Sequence, residues 1–207
     1  MKLCSCLFLC LALLSGCAST TGTLENNNYT SPAGNFVVKI PYESSPMGRV
    51  EIRDFYDEKQ LRGFVSITVP WQPMIGIKYN RNETALRDRK EVIQKAFKRI
   101  SEDNLIQRSK EASLIYDEWI LLDGNDVYFT ITSLPSAAPY TTNGKAGAAE
   151  QCLALFFNGH YGYLVSIEGH TLQTVHTKKD RLSSTHDTVK YYRNLFDNLY
   201  RGITFKN

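Results

Sequence analysis

Apolar and polar positions follow three rhythms along this chain, and the changes of rhythm mark its elements. Residues 3–14 are almost wholly apolar, whereas 18–30 are mostly Thr, Asn, Gly and Ser with little to bury. A period of two then sets in. Phe36, Val37, Val38 and Ile40 make a run rich in β-formers after the turn material Pro32-Ala33-Gly34-Asn35, and Pro41 stops it. In "GRVEIRDFYD", Val50, Ile52 and Phe55 are set against Glu51, Arg53 and Asp54, which predicts a second strand joined to the first by a hairpin through "YESSPM". "GFVSITV" predicts a third strand, closed by Pro70.

From Asn82, a plausible N-cap, the period lengthens. Leu86, Ile93, Ala96, Phe97 and Ile100 share one face at helical spacing, with Arg87, Lys90, Glu91, Lys95, Lys98 and Glu102 opposite them. That charged side reads as a solvated helix face. Alternation returns in "SLIYDEWILLD" and "DVYFTITSL", joined at Asp123-Gly124-Asn125, and again in "CLALFFN" and "YGYLVSIEG", joined at Asn158-Gly159-His160. A second helix is predicted over 185–201, with Val189, Tyr192, Leu195, Phe196 and Leu199 on its apolar face. It breaks at Gly202 into a short "ITF".

Three strands, a helix, two hairpins and a closing helix predict an α+β fold. The expected form is an antiparallel sheet of about six to seven strands with two main helices packed on it, as an α/β/α sandwich. The segment "YTSPAGNFVVKIP" followed by a hairpin, and the closing helix that leads into "GITF", resemble the Mog1/PsbP-like fold. That group includes photosystem subunits and small bacterial lipoproteins, and is used mostly for binding and assembly. The resemblance brings no catalytic motif onto positions of this chain and lowers the expectation of catalysis.

The N-terminus sets the expected location. Lys2 followed by the apolar run has the order of a secretory signal, and the run is too short for the roughly 20 residues of a bilayer-spanning helix. Leu14-Ser15-Gly16-Cys17 resembles the lipobox of bacterial lipoproteins, in which the cysteine sulfur is linked to diacylglycerol before cleavage. This divides the chain into a signal peptide at 1–16, a lipidated Cys17 with a flexible tether to residue 30, and one α+β domain over 31–207. In the sorting pattern that the resemblance implies, Ala18 after the cysteine favours the outer membrane, here on its periplasmic face rather than the cell surface.

Composition narrows the chemistry. Twenty-four basic and 21 acidic residues are too evenly balanced to suggest a nucleic-acid partner. Of five cysteines, Cys4, Cys6 and Cys10 leave with the signal, Cys17 takes the lipid, and Cys152 remains alone in an apolar run. The domain must therefore be held by its core rather than by a disulfide, and Cys152 reads as buried and inert. The chain carries no phosphate-binding glycine loop, dinucleotide fingerprint, metalloprotease helix, paired CxxC or nucleophile elbow. No cofactor and no metal is expected. The alternative class is an envelope hydrolase or metal-dependent enzyme using His170 and His176.

Two connections draw attention as candidate partner-binding sites. "VPWQPMIGIKYN" concentrates Trp71, Met74, Ile75 and Tyr79 between two predicted elements, either as a recognition loop or as one further strand. "PSAAPYTTNGKAGAAEQ" sets Tyr140 among small residues. The expected function is a non-enzymatic binding or assembly module, held at the membrane through Cys17 and recognising an envelope protein. A carrier of a small apolar ligand is the further alternative.

Overall fold

Each stretch of period-two alternation becomes a strand, because that period puts every apolar side chain on one face of the pleat. The computed structural model describes residues 21–41, 49–70, 72–81, 90–91, 93–95, 98, 113–134, 141–142, 145–146, 149–170 and 185–206. The strands are β1 (Thr23–Glu25), β2 (Asn28–Thr30), β3 (Phe36–Lys39), β4 (Glu51–Asp57), β5 (Arg62–Thr68), β6 (Met74–Arg81), β7 (Ser113–Leu122) and β8 (Asn125–Leu134). They continue with β9 (Thr141–Thr142), β10 (Lys145–Ala146), β11 (Ala149–Asn158), β12 (Tyr161–His170) and β13 (Ile203–Phe205). The C-terminal helix spans Thr185–Arg201, and helical residues also occur between 90 and 98.

Seven strands form an antiparallel sheet in the order β4-β5-β6-β12-β11-β8-β7. Four more make a second antiparallel sheet, β1-β2-β3-β13, and β9 pairs with β10. The fold is thus richer in sheet than the alternation predicts. The hairpin expected between β3 and β4 does not form. Instead β3 lies between β2 and β13, while β4 pairs with β5 alone. Val37 opposes both Thr30 and Thr204, so the apolar β3 is buried as a central strand of the smaller sheet.

Part of the stretch whose composition suggests a tether is structured. Asn26 and Asn27 take φ of 48° and 65°, the left-handed pair that a two-residue hairpin turn requires and that asparagine tolerates. The same chemistry joins β7 to β8, where Asp123 and Gly124 have φ of 47° and 80°. Tyr29, buried at the end of the first hairpin, gives its hydroxyl proton to Asp54 Oδ2 on β4. The Gly22 amide donates to the same oxygen at 2.8 Å.

The core lies between the inner face of the seven-stranded sheet and a layer made jointly by the smaller sheet and the C-terminal helix. Aromatic rings stitch it together. Phe36 meets Tyr79 and Tyr163 edge-on at 5.5 and 6.0 Å, Phe156 stacks on Tyr163 at 5.4 Å, and Phe129 meets Phe196 of the helix at 5.7 Å. Burial pushes the phenol pKa values of Tyr29, Tyr79, Tyr163 and Tyr192 far above their ordinary value. Asp187 in the first turn and Arg201 in the last complement the helix dipole, and the Gly202 amide closes the helix onto the Leu199 carbonyl at 2.9 Å. Cys152 is fully buried, as its apolar surroundings predict, and burial raises its thiol pKa.

Glu150 is a carboxylate that the fold partly buries. Partial burial raises its pKa, and Tyr192, whose hydroxyl donates to the Glu150 carbonyl at 3.2 Å, offsets part of the effect. A raised native pKa means that the folded state holds the proton more tightly, so this contribution is present in acid and lost as pH rises past the ordinary glutamate range. Glu150→Gln is therefore expected to gain stability relative to the parent at about pH 7 and to converge with it near about pH 3. Urea titrations at the two pH values check this. An equal difference at both would exclude the assignment.

Candidate functional site

The outer face of the large sheet carries one continuous cross-strand row. Register sets Phe55 opposite Phe64, Phe64 opposite Lys78, Lys78 opposite Leu164, Leu164 opposite Leu155, Leu155 opposite Tyr128 and Tyr128 opposite Trp119. Its two ends are treated differently. At the Trp119 end the helical residues sit on it. The Trp119 indole N–H donates to Gln94 Oε1 at 3.2 Å, Lys90 Nζ lies 5.5 Å from that ring and 2.6 Å from Asp126, and Tyr128 donates to Asp117 at 2.8 Å. Tyr128 is consequently buried although it belongs to the outer face.

At the other end the row stays open. Phe55 is 53% exposed and Phe64 39%, with their rings stacked at 6.3 Å. Around them lies a groove of about 490 Å³, floored by Leu155, Phe157 and Leu164 and bordered by Arg62, Lys78 and Asn80. Gly162 gives the floor its depth, since a side chain there would meet the Phe157 ring at 3.1 Å. Among the described residues the lining holds two cations and no carboxylate. Arg62 reaches Asp57 only at 3.9 Å, with the Arg62 side chain 56% exposed, a pair of little energetic weight, and Lys78 makes no ion pair among the described residues. Apolar floor and cationic border suit an amphiphile or surface with anionic groups. They do not supply a nucleophile with its base.

The residues singled out from the sequence are placed as follows. Residues 74–81 form β6, so this connection is the further strand rather than a loop. Ile75 and Tyr79 turn inward and are 1% and 2% exposed, while Met74 is half-buried. The period of two that makes β6 a central strand turns both toward the core, where Tyr79 still borders the groove and Ile75 the second cavity described below. Trp71, Tyr140, Cys17 and His176 lie outside the described residues, as does the side chain of His170, which ends β12. Among the described residues no group of His, Cys, Asp and Glu is arranged to hold a metal ion, and no helix is long and apolar enough to cross a membrane.

Sequence reasoning placed Phe55 with Ile52. A strict period of two would have put it with Glu51 and Arg53, and Phe64 with Arg62 and Ser66. Aromatic residues at polar-face positions on adjacent strands were the available signal.

A second cavity of about 300 Å³ lies between the sheet and the C-terminal helix, lined by Pro41, Ile75, Ile167, Leu195, Asn198 and Leu199. No protein-family model matches the chain, and no curated protein matches its sequence. Among solved structures, the chain is similar to a 1.50 Å crystal structure from Bacteroides thetaiotaomicron VPI-5482, with TM-score 0.42, 11% identity, and coverage of 89% of this chain and 50% of that one. It thus spans half the length of that structure. It is also similar to the solution structure of cyanobacterial PsbP (CyanoP) from Synechocystis sp. PCC 6803, with TM-score 0.42, 14% identity, and coverage of 80% of this chain and 99% of the other.

Proposed function

We propose that the protein is an outer-membrane lipoprotein, anchored through Cys17, whose periplasmic domain works as a non-enzymatic binding module of the cell envelope. The observation that carries the binding role is the open groove beside Phe55, Phe64 and Lys78. It leaves large aromatic side chains in water beside an apolar floor, where their exposure costs solubility and contributes nothing to the core. The anchor rests on the lipobox resemblance of Leu14-Ser15-Gly16-Cys17.

Two variants test the two halves of this reading. Cys17→Ala is expected to move the protein from the membrane fraction to the soluble periplasmic fraction, and retention in salt-washed membranes would overturn the anchor. Phe64→Ser combined with Lys78→Glu is expected to lower affinity for anilinonaphthalene sulfonate, an apolar anion, at least about tenfold in a fluorescence titration. Both positions are solvent-facing, so the double variant should lose no more than about 1 kcal/mol of stability. Unchanged dye affinity would remove the groove from consideration.

The second cavity supports one other reading, a carrier of a small apolar ligand, because Asn198 is the only polar residue of its lining among the described residues. Native mass spectrometry of the purified protein would show such a ligand as added mass.

A further inference from the structure

The large apolar side chains that the described residues leave exposed are Leu24, Phe55, Phe64 and Leu121. Three of these four belong to one edge of the molecule. Phe55 is on β4, the edge strand of the large sheet, and Phe64 is beside it on β5. Leu24 is in β1, two residues from Gly22, whose amide is fixed to Asp54 on β4 at 2.8 Å. Tyr29, the register partner of Leu24, holds the same carboxylate. Residue 22 is therefore pinned beside β4 on the inner side of that strand, since Asp54 opposes the buried Val65 while Phe55 points the other way.

This placement limits how far the domain can stand from its anchor. Only five residue steps separate Cys17 from Gly22, and at no more than about 3.6 Å each they span at most about 18 Å. A tether that ran to residue 30 would have allowed the domain to face any direction. One that ends on the β4 edge, and is this short, turns that edge toward the membrane. The edge also carries charge of both signs, with Glu51 3.7 Å from Arg53 and Asp57 3.9 Å from Arg62, and three cations against these two carboxylates on the face. Arg53, at 82% side-chain exposure, Arg62, at 56%, and Lys78 project from the same outer face as Phe55 and Phe64.

We propose that the β4–β5 edge is a lipid-docking face. Leu24, Phe55 and Phe64 enter the boundary between headgroups and acyl chains, and Arg53, Arg62 and Lys78 meet lipid phosphates. This rests on the anchored binding module proposed above, and it names the partner of the groove as the bilayer that holds the anchor. Aromatic and aliphatic side chains with flanking cations are the composition by which peripheral segments lie in an interface.

The test uses the full lipidated chain reconstituted into vesicles of phosphatidylethanolamine and phosphatidylglycerol. A benzophenone amino acid is placed at position 55, 64 or 121. Leu121, 70% exposed, is on β7 at the far edge of the same sheet and serves as the control. Phospholipid adducts at 55 and 64 are expected to exceed those at 121 by about tenfold, and to fall when phosphatidylglycerol is left out. Equal yields at the three positions overturn the docking face, as does a recurrent protein adduct at 55 in native membranes in place of lipid. The intact mass of the protein separates the two levels. An unmodified Cys17 overturns the anchor and this inference with it, whereas a lipidated Cys17 with no enrichment at 55 and 64 overturns the docking face alone.

Discussion

Phe156→Ala is expected to destabilise the domain by about 4 kcal/mol, within the range for deleting a buried phenylalanine. Phe156 is inaccessible to solvent and stacks on Tyr163 of β12. It also meets Tyr200 of the C-terminal helix edge-on at 5.2 Å and Phe205 of β13 at 5.7 Å. One ring thus joins the large sheet, the helix and the smaller sheet. Its removal leaves a cavity walled by rings that other contacts hold in place: Tyr163 by Phe36 and Phe205, Tyr200 by Phe196. Collapse into the space is therefore limited, and the cost stays near the upper part of the range. With whole-domain stabilities of about 5–15 kcal/mol and Cys152 as the described chain's free thiol, no crosslink offsets such a loss. Equilibrium urea unfolding measures it. A loss below about 1.5 kcal/mol would mean that the aromatic layer is not what holds the two sheets together.

Gly63→Ala is expected to cost about 3 kcal/mol, at the upper end for overpacking. A methyl group at residue 63 would sit 2.4 Å from the Tyr79 hydroxyl oxygen, 2.5 Å from its Cζ and 2.6 Å from the Phe55 carbonyl oxygen. The phenol cannot swing aside without cost. Tyr56 stacks on it from one side at 6.1 Å, and Phe36 meets it edge-on at 5.5 Å. The carbonyl belongs to the β4–β5 ladder itself, so relief means parting the strands that carry Phe55 and Phe64. Loss of stability and loss of dye binding at the groove should appear together in this variant, in contrast to Phe64→Ser with Lys78→Glu, where binding falls with stability nearly kept. Thermal unfolding and the same fluorescence titration distinguish the two. A Gly63→Ala protein as stable as the parent would show that Tyr79 can leave its place over the glycine.

The parts of the fold that were legible from sequence are those whose signal is local. Asp123-Gly124 marks a two-residue turn because its residues reach positive φ at low cost, and the structure pairs Leu122 with Asn125 across it. Val189, Tyr192, Leu195, Phe196 and Leu199 fall on one helical face, and Tyr192, Phe196 and Leu199 are buried there. The Asn26-Asn27 turn is as local, but the strands it joins are three residues each and too short to show alternation. The groove was harder to see. Phe55 reads as a core residue until the face of its strand is settled, and the face depends on what β4 pairs with.

Sequence alone determined the hairpins after β7 and β11, the amphipathic closing helix, the burial of Cys152 and the antiparallel α+β character of the domain. In each case neighbours within a few residues carry the physical cause. Tertiary structure alone decided that β3 joins β13 rather than β4, that β6 is a core strand beside β12, and that Gly22 and Tyr29 are fastened to Asp54. It also decided that helical cover lies on one end of the outer face while Phe55 and Phe64 stay in water at the other. These are choices among partners far apart in the chain. A run of alternating residues states which side wants to be buried, but not against what.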